Sequence, residues 1–246
     1  MTTQAMEAAR GPTARAGAPR RSGFYVGMAV AILAVVLTGF GQRYFLRIPS
    51  GTLTLPLLVH VHAVVFTSWI LLFIAQTSLV AAHRVDLHRR LGAVGAVLAP
   101  TIVALGVAVS IYGGRTGWRP GGVFRTPLEF MIVPLWDIAL FAGFVGAALH
   151  YRRRPELHRR LMLLATIGGM LWAAVTRIPP IRGKLPAMLG LMLLFVLAGP
   201  VRDLLARRRP HPVDLLGGLL IVGSVPLRTA IARTDAWNAF AGWLVR

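Results

Sequence analysis

Residues 53–91 read LTLPLLVHVHAVVFTSWILLFIAQTSLVAAHRVDLHRRL and decide the class of fold. The stretch 53–82 contains no Asp, Glu, Lys or Arg, and a helix needs only about 20 apolar residues to cross a bilayer. The whole chain agrees, since 56% of its 246 residues are hydrophobic and 14% are charged. A soluble domain carries roughly 25% charged residues. We therefore predict an all-α integral membrane protein, and we exclude a soluble enzyme.

The chain contains seven apolar stretches, which predict six or seven transmembrane helices. The last stretch is short and contains Pro226, so it could be re-entrant, and six spans are then the alternative. We expect a disordered basic tail over 1–23, a transmembrane domain over 24–230 and an outer amphipathic tail over 231–246, where Trp237, Phe240 and Leu244 share a helix face. The seven stretches are 24–40, 53–82, 91–112, 128–150, 161–178, 185–201 and 213–227.

The basic residues predict orientation and partners. The net charge is +19, but the arginines form short runs between apolar stretches, which favours anionic lipid headgroups as partners over nucleic acid. The segments 1–23, 83–90, 151–160 and 202–212 hold most of these residues. The positive-inside rule then places the N-terminus in the cytoplasm of a bacterial cell, with the chain in the inner membrane. The chain has no cysteine, so disulfides and thiolate metal sites are excluded.

An internal repeat is predicted over about 53–112 and 128–179. Two series of residues at seven-residue spacing are related by a constant offset, and each is followed by a similar element, DLHRRL at 86–91 and ELHRRL at 156–161. Residues seven apart lie on one helix face, so we predict a duplicated helical hairpin that forms a four-helix core. The two series are His62, Trp69, Gln76 and His83, and Glu129, Trp136, Gly143 and His150.

Four histidines near the inner ends of the helices are candidate cofactor ligands. The repeat makes His83 equivalent to His150, and two imidazoles on facing helices are what six-coordinate haem b requires. His88 and His158 would then support the ligands or contact the haem propionates. The alternative is that all four histidines are interfacial, while the arginines of the two elements (Arg89, Arg90, Arg159 and Arg160) anchor their helices at phosphate headgroups.

A second group of polar residues is predicted near the outer ends of the helices. A carboxylate at membrane depth is costly unless it is paired, so we expect Asp137 to contact His62 or Arg177. Ionisable residues inside a membrane are candidates for function, and a simple interhelical hydrogen bond is the alternative. This outer polar cluster consists of His60, His62, Glu129, Asp137 and Arg177.

The stretch from His62 through Leu87-His88-Arg89-Arg90-Leu91-Gly92 resembles a segment of the small bacterial membrane proteins of the YozB/CtaM type. Those proteins have a histidine in one helix and a His-Arg-x-Leu-Gly turn into the next. The stretch 156–162, ELHRRLM, is similar to their other histidine-containing hairpin, although the two elements occur here in the opposite order. The resemblance implies a role in haem handling or cytochrome oxidase maturation, and it extends to His62, His88 and His158.

Three functions remain open on the sequence alone. The first is a haem-handling or redox-associated protein, whose partner is haem, a quinone or a subunit of a respiratory complex. The second is a small repeat-built transporter or proton-coupled carrier that binds its substrate at the outer polar cluster, with Gln76 along the path. The third is a structural or assembly subunit without a cofactor. A catalytic motif is not found in the chain.

Overall fold

The computed structural model describes residues 23–51, 54–117, 123–206 and 208–246, and the regular structure in these ranges is helical. The predicted tail over 1–23 lies outside the described residues except for Gly23. A short 3-10 turn (Phe45–Arg47) and a π-helical segment (Ile167–Leu171) accompany the α-helices. The α-helices are α1 (Gly23–Phe40), α2 (Leu57–Ala81), α3 (Val85–Thr116), α4 (Pro127–His150), α5 (Pro155–Thr166), α6 (Trp172–Val175), α7 (Leu185–Leu205), α8 (Pro212–Ala232) and α9 (Asp235–Leu244).

Six of the described helices are long and apolar enough to cross a membrane. They are 18 to 32 residues long, and each contains an 18-residue window of high mean hydropathy. The prediction of an all-α, multi-pass membrane protein is therefore confirmed. The six helices are α1, α2, α3, α4, α7 and α8.

The predicted span 161–178 lies in a helical run that a π-helical segment interrupts. The chain stays helical from Pro155 to Val175, but the π-helical segment divides this run into α5 and α6. At one end Arg159 stacks over Tyr25 in the first turn of α1, and at the other Ala174 lies against Gly39 in its last turn. A Cβ at position 39 would clash with the Ala174 backbone, so glycine permits this close approach. The interrupted segment therefore runs the full length of α1.

The sequence leaves open whether the span 213–227 is re-entrant. In the structure this stretch lies in α8, which is a regular helix of 21 residues. It continues through Pro226 as far as Ala232, so Arg228 lies inside the helix and not at its end. The helix continues past Arg228 because this residue is buried and its charge is paired with a carboxylate inside the bundle.

The two related elements DLHRRL and ELHRRL both begin helices. Asp86 lies in the first turn of α3 and Glu156 in the first turn of α5, where a negative charge interacts favourably with the helix dipole. Pro155 occupies the first turn of α5, where proline loses no helical hydrogen bond. We call the end of the bundle with the α2–α3, α4–α5 and α7–α8 turns the basic end, and the opposite end the cavity end.

The core lies between the helices and is centred on aromatic residues. The Trp69 ring of α2 packs edge-on against Phe141 of α4, with centroids 4.8 Å apart. Its indole N–H donates to the hydroxyl of Thr166 in α5, at 3.2 Å. Phe141 and Thr166 are both fully buried. One side chain of the predicted polar series thus joins α2, α4 and α5.

Arg160 connects three helices at the basic end. Its guanidinium donates to Asp203 of α7 at 2.9 Å, to Asp214 of α8, and to Glu156 one turn earlier in α5. Arg160 and the two aspartates are each 5 or 6% exposed. The expectation that Arg160 anchors its helix at phosphate headgroups is therefore wrong, because the tertiary structure surrounds its guanidinium with three carboxylates.

Replacement of Arg160 by leucine tests the importance of this network. The substitution leaves buried carboxylates without a counter-charge, which typically costs about 3–5 kcal/mol. We expect Arg160→Leu to lower the free energy of unfolding of the detergent-purified protein by about this amount. Arg90 occupies the corresponding position in the first element and is exposed, so Arg90→Leu is the matched control and should change little. Equal stability of the two variants would contradict this account.

A fusion experiment tests whether α8 crosses the membrane. Reporters joined after Arg209 and after Arg246 should lie on opposite sides, because a 21-residue apolar helix lies between them. Alkaline phosphatase and green fluorescent protein fusions distinguish the two sides. The arginine distribution predicts that the first reporter is cytoplasmic and the second periplasmic. Both reporters on one side would show that α8 does not cross.

Candidate functional site

The two histidines that we predicted as haem ligands are not brought together. His83 lies in the turn between α2 and α3 in a left-handed conformation, with φ of 59°, and it is exposed. His150 is the last residue of α4, is also exposed, and its ring contacts Tyr151. No described ring contact or hydrogen bond joins His83 to His150. Their positions on the surface do not fit a pair of axial haem ligands.

The other pair of equivalent histidines does come together. His88 in the first turns of α3 and His158 in the first turns of α5 have ring centroids 6.4 Å apart and nearly perpendicular planes. Nδ1 of His158 is 2.8 Å from the Ala148 carbonyl oxygen. Nδ1 of His88 is buried and has no partner among the described residues. We predicted a supporting role for these two residues, and the structure makes them the adjacent pair.

Two members of the predicted outer polar cluster have hydrogen-bond partners outside the cluster. Nδ1 of His60 is hydrogen-bonded to the Tyr44 phenol at 2.9 Å. Burial raises the pKa of the Tyr44 phenol above its ordinary value, so this group remains protonated. The Glu129 carboxylate accepts from the backbone N–H of Arg125 at 2.7 Å, while the Glu129 N–H donates to Thr126. Thr126 therefore caps the start of α4, and the Glu129 carboxylate is occupied by a backbone N–H next to this cap.

The remaining three members of the cluster, His62, Asp137 and Arg177, line one cavity. The cavity has a volume of about 200 Å³ and lies at the cavity end, between α1, α2, α3, α4 and the interrupted segment. Most of its wall is apolar. Its aromatic side chains are Phe40, Tyr44, Phe45, Phe66, Phe130 and Trp172, and the hydroxyl groups of Thr67, Ser110 and Thr176 also line it.

The partner of Asp137 is a residue that the sequence analysis missed. Arg228 of α8 donates to the Asp137 carboxylate at 2.6 Å, and both residues are buried, at 3 and 6% exposed. The predicted contact of Asp137 with His62 or Arg177 is therefore wrong. The signal was present in the sequence, since Arg228 follows a long apolar stretch, but we assigned it to the end of a span.

Arg177 lies on the cavity wall without an acidic partner. The residue follows α6 and is half-buried, and no ion pair with it is found in the described parts of the chain. Its guanidinium donates to the Ala173 carbonyl oxygen at 2.5 Å and stacks over the Phe40 ring at 4.9 Å. These contacts partly compensate for lost hydration, but they supply no negative charge. The cavity therefore contains a cation without a counter-ion.

His62 also lies on the wall with unused hydrogen-bonding capacity. Its ring stacks on Phe66 one turn along α2, with centroids 3.9 Å apart. Its Nδ1 is buried and has no hydrogen-bond partner among the described residues. A buried polar atom without a partner usually costs free energy, and a ligand or water bound beside it would remove this cost.

The π-helical segment shapes the floor of the cavity. Gly169 and Met170 of this segment line the cavity, and Gly169 packs so closely on Phe141 that a Cβ would clash. Single-turn π segments within α-helices occur frequently at functional sites. Here the segment changes the helical register between Thr166, which holds Trp69, and Arg177, which faces the cavity.

No protein-family model, curated protein or solved structure matches this chain. The resemblance to the YozB/CtaM-type proteins therefore stays a prediction. The fold defines an all-α, multi-pass membrane protein with an apolar cavity whose wall includes His62, Asp137 and Arg177.

A double substitution tests the pairing of Asp137 with Arg228. We expect Arg228→Leu to destabilise the protein by about 3 kcal/mol or more, because it leaves a buried carboxylate unpaired. Asp137→Asn in the same chain should restore much of the stability, since the unpaired charge is removed. Unfolding of the detergent-purified variants measures both effects. His62→Ala should leave the stability nearly unchanged, and a loss as large as that of Arg228→Leu would show that Asp137 depends on His62.

Proposed function

We propose that this membrane protein binds an amphiphile with a carboxylate head group in the cavity at the cavity end, as a binding protein or carrier. The observation that carries the proposal is Arg177, a guanidinium on the wall of an apolar cavity without an acidic partner in the described chain. Of the functions left open by the sequence, this one develops the substrate-binding role of the outer polar cluster.

Charge supports a carboxylate head group. The charge of Asp137 is compensated by Arg228, so Arg177 leaves the cavity with a net positive charge. An unpaired cation among apolar groups is costly, and an anion that enters the cavity would remove this cost. Guanidinium and carboxylate groups also match in geometry and form two parallel hydrogen bonds. A quinone accepts hydrogen bonds but has no negative charge to pair with Arg177.

The ring nitrogen of His62 and the aromatic walls of the cavity suit the other parts of a carboxylate amphiphile. The unpartnered ring nitrogen of His62 offers a further hydrogen-bonding position for the head group. The aromatic walls favour a hydrocarbon chain, because apolar surface is thereby removed from water. The cavity has a volume of about 200 Å³. This volume suits a head group with the first few methylenes of its chain.

Tryptophan fluorescence provides a direct test, because Trp172 lines the cavity. Titration of the detergent-purified protein with a stearate brominated in mid-chain should quench its emission saturably. The quenching should decrease in the Trp172→Phe variant. Arg177→Gln should weaken binding at least about tenfold, since a hydrogen bond to a charged group contributes roughly 1.5–3 kcal/mol. Arg182→Gln is the matched control, because Arg182 is exposed and lies outside the cavity wall.

Competition with other amphiphiles identifies the head group. Unlabelled stearate should displace the brominated probe, whereas stearyl alcohol of the same chain length should not. Equal competition by the alcohol would overturn the carboxylate assignment, and preferential competition by a quinone would replace it with a quinone site. Unchanged affinity in Arg177→Gln would remove the basis of the proposal.

A further inference from the structure

Two arginines from different helices contact the first turn of α1 at the basic end. The Arg159 guanidinium of α5 stacks over the Tyr25 ring at 5.3 Å, and the Arg202 guanidinium of α7 stacks over the same ring at 5.5 Å. Arg202 also lies over the neighbouring Phe24 ring, at 4.8 Å. Tyr25 is only 6% exposed. Three helices therefore bring two guanidinium groups to one aromatic ring, at the opposite end of the bundle from the cavity.

Arg202 has hydrogen-bonding capacity that the described residues do not use. Its Nη1 is buried without a hydrogen-bond partner among them, and no ion pair with Arg202 is found in the described ranges. Arg202 lies in the last turn of α7, where the helix dipole favours a cation, but this interaction leaves the buried N–H unpaired. The aromatic rings stabilise the face of the guanidinium, so its edge is free to donate to an anion.

Arg159 is only partly paired. One of its terminal nitrogens contacts the Glu156 carboxylate, while its Nε is buried without a partner among the described residues. Glu156 also pairs with Arg160, which in addition holds the two buried aspartates of α7 and α8. The carboxylates that could neutralise Arg202 are thus bound to Arg160. An anion from outside the chain would supply acceptors for the unused N–H groups of Arg159 and Arg202.

The position of these residues along the helices is that of a lipid head group. Arg159 follows the first residue of α5 by four positions, and Arg202 precedes the last residue of α7 by three. At 1.5 Å per residue, each lies within about 6 Å of its helix end. Phe24 and Tyr25 lie in the first turn of α1. Aromatic residues concentrate at the membrane–water interface, where the phosphates of phospholipids also lie.

The surrounding charge selects an anionic lipid. Arg20 and Arg21 precede α1 in the sequence, and the turns on either side of the two stacked arginines contain further basic residues. A concentration of positive charge attracts anionic head groups and disfavours the ammonium group of a zwitterionic lipid. The exposed arginines of these turns are Arg152, Arg153, Arg154, Arg208 and Arg209.

We propose that Arg159 and Arg202 bind the phosphodiester of one anionic phospholipid of the phosphatidylglycerol type. The two guanidinium groups donate to the phosphate oxygens and keep their stacking on Tyr25. Exposed apolar side chains on α1 and α7, including Val30 and Val201, are available to the acyl chains. The arginine distribution predicts only a general attraction to anionic head groups, whereas this site holds one lipid molecule. None of these residues lines the amphiphile cavity.

Native mass spectrometry of the full-length protein in detergent tests the proposal, because it counts bound lipids. The delipidated protein is titrated with dioleoyl phosphatidylglycerol and, in parallel, with dioleoyl phosphatidylcholine. We expect saturable binding of one phosphatidylglycerol molecule at concentrations where phosphatidylcholine does not bind. Arg202→Gln should weaken this binding at least about tenfold, since a charged hydrogen bond is lost. Arg159→Gln should weaken it less, because Glu156 already engages part of its guanidinium.

Matched variants separate this site from the general basic surface and from the cavity. Arg153→Gln and Arg209→Gln each remove an exposed arginine from the same two segments. At about 0.15 M ionic strength exposed charges are screened, so these variants should bind phosphatidylglycerol normally. Arg177→Gln, on the cavity wall, should also bind it normally. Arg202→Lys keeps the charge but loses the planar fork, so its affinity should be intermediate. Thermal unfolding without lipid confirms that each variant is folded.

Each remaining outcome would overturn the site. Equal loss of affinity in Arg153→Gln or Arg209→Gln would assign the binding to the basic surface as a whole. Equal retention of phosphatidylcholine would contradict an anionic lipid, and displacement of phosphatidylglycerol by millimolar inorganic phosphate would make free phosphate the ligand. Undiminished binding in the double variant Arg159→Gln with Arg202→Gln would place the lipid elsewhere on the protein.

Discussion

A charge inside an apolar helical bundle needs a partner of opposite sign, and this constraint organises the protein. Arg160 satisfies it at the basic end, where its guanidinium holds Asp214 of α8 and Asp203 of α7 against α5. Arg228 satisfies it at the cavity end, where it holds Asp137 of α4 against α8. The helix α8 is therefore fixed at both ends by buried ion pairs. Neither pair is local in sequence, so their residues contact each other only in the folded chain.

The same constraint is not met at Arg177, which has no acidic partner in the described structure. Nδ1 of His62, on the wall of the same cavity, is one of several buried side-chain atoms without a hydrogen-bond partner among the described residues. The combination of an unpaired cation and an unused ring nitrogen in one cavity is consistent with an anion supplied from outside.

The two related elements show how context gives one sequence pattern different roles. Arg90 and Arg160 occupy the same position in their elements, yet Arg90 is exposed and Arg160 is buried. The difference arises because α5 packs against α8 and its side chains meet the carboxylates of α7 and α8. His88 and His158, two residues before these arginines, instead face one another. The two elements thus contain the same residue types at corresponding positions, and the neighbouring helices decide which of these residues interact.

The sequence alone was sufficient for the class of fold and for most of the helices. Apolar stretches of 17 or more residues with few charges have only one common solution in a bilayer, because a helix satisfies its own backbone hydrogen bonds. The same reasoning located five of the six helices that are long and apolar enough to cross a membrane, and it identified several polar side chains of the candidate site. For 213–227 it left a re-entrant segment open as the alternative, because this stretch is short and contains a proline, whereas α8 extends from Pro212 to Ala232.

Only the tertiary structure decided which polar residues are neighbours. Helical periodicity shows which face a side chain occupies, but it does not show how the helices are arranged around one another. For this reason the sequence paired Asp137 with His62 or Arg177, whereas the fold pairs it with Arg228 on a helix 91 residues away. It also favoured His83 and His150 as a ligand pair, although His83 lies in an exposed turn and His150 at the exposed end of α4. The seven-residue spacing showed which side chains share a helix face. The packing of α8 and of the π-helical segment determined which of those side chains are in contact.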